Sequence, residues 1–359
     1  MITIVLGTRP EIIKMSPVIR ACMREDLPFS ILHTGQHHSY AMDRLFFEDL
    51  ALPDADINLD VGSGTHGEQT GKILTGVEKV LSETRPGVTL VQGDTNTVMA
   101  SALAATKLHL RVGHVEAGLR SFDRRMPEEI NRVVTDHIAD YLFAPTRIAE
   151  ENLLHEGISQ ASIVLTGNTI VDAVFENLAI AQERSDVMTR LDLHKSGYIL
   201  VTAHRAENVD DPSRLAGIFE GVRGVGEEFG LPVIYPVHPR TDKMIQTFGL
   251  STAGITCIPP IGFLDFLVLE AGAHLILTDS GGVQEEACIL HVPCVTMRDS
   301  TERPETICVG ANLLAGTDAA QITATAKEMS LRSRDWENPF GDSRAGARIV
   351  EFLTARGCG

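Results

Sequence analysis

Short apolar, β-branched runs alternate with longer stretches of 3.6-residue apolar spacing along almost the whole chain. The runs that predict strands are 2–6, 30–34, 88–92, 111–115, 141–144, 163–166, 198–203, 233–237, 255–258, 275–278 and 293–297. Helical spacing fills segments such as 10–23, 68–82, 96–108, 128–138, 213–228 and 283–290. Runs like Val88-Thr89-Leu90-Val91 and Ile276-Leu277-Thr278 are continuous rather than alternating, which suits strands buried on both faces of a parallel sheet. Repeated strand–helix alternation reads as doubly wound α/β. The strands are too many for one open sheet and fit two sheets of about six. A division is expected at Gly167-Asn168-Thr169, giving domains 1–167 and 168–342. The last helical stretch, 343–359, follows Asn338-Pro339-Phe340-Gly341-Asp342 and could pack on either half.

Composition narrows the class. With 359 residues, 43% hydrophobic and 22% charged, the chain has material for two globular cores. Its 31 basic and 48 acidic residues leave a net charge of −17, which repels nucleic acid and anionic membranes at long range. An anionic substrate would therefore need a local cluster of cations and oriented N–H groups. The apolar start Ile2–Leu6 is one strand long and has no basic segment before it, so neither a signal peptide nor a membrane span is expected. Six cysteines, scattered without CxxC pairs, argue against a zinc site or a disulfide framework and point to the cytoplasm.

In open α/β sheets ligands bind beyond the carboxyl ends of the strands, and the polar clusters of this chain sit there. Gly7-Thr8-Arg9-Pro10-Glu11 follows the first strand, with Lys14 one turn into the helix. Cations there oppose the helix dipole, which favours a role in anion binding over solvated charge. Gln92-Gly93-Asp94-Thr95 closes another strand, and its Asp equally suits a helix cap. His114-Val115-Glu116-Ala117-Gly118-Leu119-Arg120 follows a third, where Glu116 and Arg120 could instead form a structural ion pair. Pro127-Glu128-Glu129-Ile130-Asn131-Arg132 is ordinary helix-start chemistry, with Glu128 and Arg132 on one face.

The second half repeats the arrangement. His204 and His238 both stand at strand ends. Ser280-Gly281-Gly282 opens a helix and is the clearest phosphate cradle, with Glu286 one turn in to accept hydroxyl donors such as those of a ribose. Arg298 and Arg303 would add cations beside it. Gly62-Ser63-Gly64-Thr65-His66-Gly67 formally matches GxGxxG, but the preceding Asp56–Asp60 alternates polar and apolar, and no acidic strand end follows at the required spacing. Dinucleotide binding is not expected.

Taken together, GTRPE, GDTNT, HVEAGLR, PEEINR, GNTIVDA, AHRAEN, TDSGGVQEEA and RDSTERPE resemble the non-hydrolysing UDP-N-acetylglucosamine 2-epimerase family over nearly the full length. The resemblance implies two Rossmann-like domains in a glycosyltransferase-B-like arrangement, with the active site in the cleft and the C-terminal helix crossing back to the first domain. It implies interconversion of UDP-GlcNAc and UDP-ManNAc by loss of UDP, a bound 2-acetamidoglucal, and re-addition. Carried over by motif, the catalytic set is Asp94, Glu116, Glu128 and His204. Arg9, Lys14, Arg132, His238, Ser280, Gly281, Gly282, Glu286 and Arg303 would bind substrate, with Phe266 near the uracil. No metal or other cofactor is implied, and a homodimer is. Bacterial members typically carry QHR with a further Gln, and HRRE; here Gln36-His37-His38-Ser39 and His204-Arg205-Ala206-Glu207 stand instead. That departure spares the catalytic set and removes residues of an activating second UDP-GlcNAc site. The rival readings are a glycosyltransferase, an epimerase of a modified UDP-uronic acid, and a non-catalytic sugar-nucleotide sensor.

Overall fold

The computed structural model describes residues 1–36 and 40–358. Two parallel sheets account for the strands. The first contains β1 (Ile2–Leu6), β2 (Phe29–His33), β3 (Ile57–Asn58), β4 (Val88–Gln92), β5 (Val112–Val115), β6 (Tyr141–Ala144) and β7 (Ile163–Leu165), ordered β3-β2-β1-β4-β5-β6-β7. The second contains β8 (Ile199–Thr202), β9 (Val233–Pro236), β10 (Thr256–Ile258), β11 (Leu275–Thr278), β12 (Cys294–Thr296) and β13 (Asn312–Leu314), ordered β10-β9-β8-β11-β12-β13. Each sheet is doubly wound α/β, and the order reverses beside its first strand: between β1 and β4 in one, between β8 and β11 in the other. Such reversals open a crevice at the carboxyl ends of the strands.

Burial explains which runs were legible. All five residues of β1 and of β4 are buried, as continuous apolar strands in a sheet covered on both faces should be. No strand was expected at β3 or β13, which lie at sheet edges and are mostly half-buried. The alternation of Asp56–Asp60 spans β3 but offers no continuous apolar run, and a strand of two residues, Ile57–Asn58, is short enough to keep an edge from pairing further. The GxGxxG segment next to it leads into the helix His66–Thr84 through a capping box: Thr65 accepts from the Glu68 N–H while Glu68 reaches back to Thr65. Gly62 and Gly64 thus precede an ordinary helix start, and Gly67 lies in its first turn.

The chain divides into two compact units, Met1–Glu176 joined by the segment from Phe340 onward, and Asn177–Pro339. The terminal helix Ala345–Ala355 packs on the helix Arg9–Arg24 of the first unit. Its first N–H groups have no intrahelical acceptor, and the buried Asp172 carboxylate takes those of Ala345 and Gly346 at 3.2 and 3.0 Å. Arg348 adds a bidentate pair to Asp342 at 2.7 Å and donates to the Thr166 carbonyl. Among the described residues no helix is long and apolar enough to cross a membrane.

Candidate active site

In the first unit the turns after β1 and β4 are locked to one another. Gly7 has no room for a side chain, because a Cβ there would strike the Thr97 and Thr34 hydroxyls. Glu11, buried in the first turn of its helix, accepts from the Gly7 N–H at 2.5 Å and from the Thr95 hydroxyl at 2.6 Å, so one carboxyl ties both turns. Burial pushes the Glu11 pKa up to about 7, against the pull of those hydrogen bonds. The sequence alone gave no role to Glu11. Its signal was an acid at a helical position otherwise facing the core.

Asp94 does not cap the helix Asn96–Lys107; Thr95 does, accepting from the Val98 N–H. The Asp94 side chain is free of that duty and pairs with Arg132. Arg132 also meets Glu129 at 3.1 Å, and Asn131 donates to the Asp94 carbonyl at 2.9 Å. Glu116 lies beyond the neighbouring β5 with its backbone at φ 70°, a strained left-handed conformation for a residue with a side chain. Lys14 donates to both Glu116 oxygens at 2.7 and 2.8 Å, and Gln92 donates to one of them. Lys14, expected to hold an anion, is therefore engaged with a carboxylate. Arg120 pairs with Asp136 and Glu156 at 2.7 Å, not with Glu116. Glu128 is exposed at the start of the helix Pro127–Ile138. Arg9 lies over the Phe46 ring, 5.8 Å from its centre.

The second unit is organised around one acid. Asp279, wholly buried at the end of β11, accepts from the backbone N–H groups of His204 and Arg205 at 2.9 to 3.1 Å and from the Asn208 amide at 3.1 Å. The turn after β8 is thereby fixed. Burial holds the His204 pKa below its usual value; Asp279 opposes that shift, while Arg205 and His238 reinforce it. The His204 and His238 rings are 5.8 Å apart, and His238 caps the helix Pro239–Phe248.

Ser280 is the N-cap of the helix Gly281–Ile289 and makes no capping hydrogen bond with its side chain. A Cβ at Gly281 would meet only the tips of Glu302 and Arg205, at 3.8 and 3.9 Å, so internal packing does not demand a glycine there. That measurement brings Arg205 to the cradle, a cation sequence reasoning left out although it follows His204 directly. Arg298 is held by Glu302 and Glu207, and Arg303 by Glu285 at 2.7 Å. Burial alone would raise the Glu302 carboxyl, yet the Arg298 guanidinium holds it at about 2. Glu270, near Glu286, has its pKa driven well up by burial first and then by Glu286. Glu270 was also missed; it is a buried acid in the largely apolar helix Phe263–Gly272. Phe266 lies one turn before it, partly buried on the core. His37, His38 and Ser39, where the chain leaves the bacterial pattern, lie outside the described residues.

The family described as UDP-N-acetylglucosamine 2-epimerase matches residues 20–354. The chain is 54% identical over 360 residues to the UDP-N-acetylglucosamine 2-epimerase of Methanocaldococcus jannaschii, with 98% of each chain covered. The solved structure of the M. jannaschii UDP-GlcNAc 2-epimerase in complex with UDP-GlcNAc and UDP is similar at a TM-score of 0.88 and 55% identity, covering 99% of both chains. A further relative, the UDP-2,3-diacetamido-2,3-dideoxy-D-glucuronate 2-epimerase of Pseudomonas aeruginosa, is 43% identical over 353 residues, 97% of this chain and 98% of that one.

Proposed function

The chain belongs to the UDP-N-acetylglucosamine 2-epimerase family, and we infer that it interconverts UDP-GlcNAc and UDP-ManNAc by reversible loss of UDP. The observation that carries this reading is the pairing at the ends of β4 and β5. Two carboxylates, Asp94 and Glu116, stand at neighbouring strand ends, and each is paired with its own cation. Inverting C2 of the sugar needs proton acceptors and donors on both faces of that carbon, and carboxylates matched to cations supply them.

In the forward direction a base takes the C2 proton while the C1–oxygen bond to UDP breaks. The electrons form a C1–C2 double bond, and UDP leaves with the bond pair. Return of UDP to C1 and delivery of a proton to the opposite face of C2 gives the epimer. Asp94, Glu116, Glu128 and His204 make up the acid/base set in this reading. The departing diphosphate gains charge, which the N–H groups after Ser280 and the guanidinium groups of Arg9, Arg205 and Arg303 stabilise. Gly281, which packing does not require, keeps that helix start open to phosphate oxygens. Six free cysteines and a nucleotide-sugar substrate favour the cytoplasm.

A second reading, action on a UDP-uronic acid, is favoured by the 43% identity to the Pseudomonas enzyme. Purified protein given UDP-GlcNAc alone, followed by NMR of the anomeric protons, distinguishes the readings. Appearance of UDP-ManNAc to a fixed ratio is expected. Turnover only on addition of an acceptor would indicate a transferase, and free UDP with free ManNAc a hydrolase. Preference for the diacetamido uronate in competition would select the second reading.

A further inference from the structure

The three segments that carry Asp94, Glu116 and Glu128 meet at a residue that none of the roles above uses. His114 lies on β5, two positions before Glu116, with its side chain wholly buried. Its Nδ1 is 2.6 Å from an Asp136 oxygen on the helix that begins with Pro127 and Glu128. Its Nε2 is 2.8 Å from the Gly93 carbonyl, the last peptide before Asp94. A carbonyl oxygen only accepts, so Nε2 must carry a hydrogen. Asp136 already accepts from Arg120 at 2.7 Å and from the Gly118 N–H at 3.1 Å, as an ionised carboxylate does. Burial would raise Asp136, yet His114 and Arg120 hold it below its ordinary range. An ionised Asp136 requires a hydrogen on Nδ1 as well.

We propose that His114 is a buried imidazolium, held by Asp136, whose Nε2 hydrogen bond to the Gly93 carbonyl positions the Asp94 turn against Glu116. It is a positioning residue for the epimerisation inferred above, on which the kinetic part of the proposal rests. The charges alternate along the array: imidazolium, Asp136, Arg120 and Glu156. Without such alternation an ion this deep would be costly to bury. Asp94 is then fixed at three atoms: its carboxylate by Arg132, its own carbonyl by Asn131, and the preceding carbonyl by His114. Loss of the third lets the turn shift while the phosphate-binding residues stay in place.

Two amide variants separate the two ring nitrogens. His114→Asn keeps a donor near the Nδ1 position, for Asp136, and loses the one to Gly93. His114→Gln keeps a donor near the Nε2 position, for Gly93, and loses the one to Asp136. A misplaced acid/base group costs on the order of 100-fold. His114→Asn should therefore lower kcat by about that factor, with KM for UDP-GlcNAc and Kd for UDP changed less than about threefold. His114→Gln should retain most of kcat. Equal losses in the two variants, a greater loss in His114→Gln, or a change confined to KM would overturn the proposal.

A second measurement needs no turnover. In wild-type protein labelled with ¹⁵N-histidine, one buried ring should show protons on both nitrogens, and both signals should vanish in either variant. A single ring N–H at His114 overturns the proposal, even where a variant fails to fold. Lack of any UDP-GlcNAc turnover by wild type would instead sink the epimerase reading and leave the ring signals to decide the charge of His114.

Discussion

At the ends of β4 and β5 the first unit sets Asp94 and Glu116 against Arg132 and Lys14, so acids and cations come as matched pairs around side chains able to move protons. At the ends of β8 and β11 the second unit spends the buried acid Asp279 on backbone N–H groups, and places a Ser-Gly-Gly helix start and Arg205 beside it. The strand order around the reversal is alike in both sheets. Topology therefore supplies the crevice, and the residues placed at the strand ends decide its chemistry. In the proposed reading one end exchanges a proton and the other holds a phosphate.

The comparison breaks first at Asp94. Asp94→Asn should cut epimerisation by about 1,000-fold, as loss of a general acid/base group does, while UDP binding measured by calorimetry stays nearly unchanged. Retained activity would remove Asp94 from the acid/base set. A large loss of UDP affinity would erase the distinction between the two units.

Glu11 gives the next largest effect, on stability. Its folded pKa of about 7 lies above the ordinary 4.5, so the native state binds a proton that the unfolded chain has released between those values. The stability from this group is complete below pH 4.5 and lost as pH rises through 7. Glu11→Gln should abolish that loss, and its urea stability relative to wild type should rise by about 3 kcal/mol between pH 4.5 and pH 8. A pH-independent difference would show that Glu11 is ionised throughout and that its hydrogen bonds outweigh its burial.

Lys14→Met should lower kcat by roughly 30-fold, because a buried carboxylate without its cation takes up a proton. Activity should recover partly as pH rises and Glu116 ionises again; a loss in UDP affinity alone would return Lys14 to the phosphate. The smallest effect sharpens the second unit. Gly281→Val should weaken UDP binding by about tenfold, by crowding the helix start, and leave turnover at saturating UDP-GlcNAc close to wild type.

Much of the fold was legible because a parallel sheet buried on both faces needs continuous apolar strands, and Ile2–Leu6 and Val88–Gln92 show them plainly. Edge strands such as Ile57–Asn58 need no such run and left none. The strand-end clusters marked where candidate chemistry could sit, since those positions are both fixed by the sheet and open at its end. What the clusters could not announce was pairing. Lys14 meets Glu116 across 102 positions, and Arg120 reaches Asp136 and Glu156 rather than the acid four residues before it. Local spacing suggests i,i+4 partners, whereas strand order decides the real ones. Glu11 and Glu270 went unassigned for a related reason: the sequence marks them as acids on apolar faces without revealing what lies opposite.

Incubation with UDP-GlcNAc in D2O, followed by NMR at C2, tests the central claim most directly. Removal and return of the C2 proton predicts UDP-ManNAc carrying deuterium at C2, with deuterium also entering the UDP-GlcNAc pool. UDP-ManNAc formed with its C2 hydrogen intact would contradict the account, because no acid/base exchange at that carbon would then have occurred.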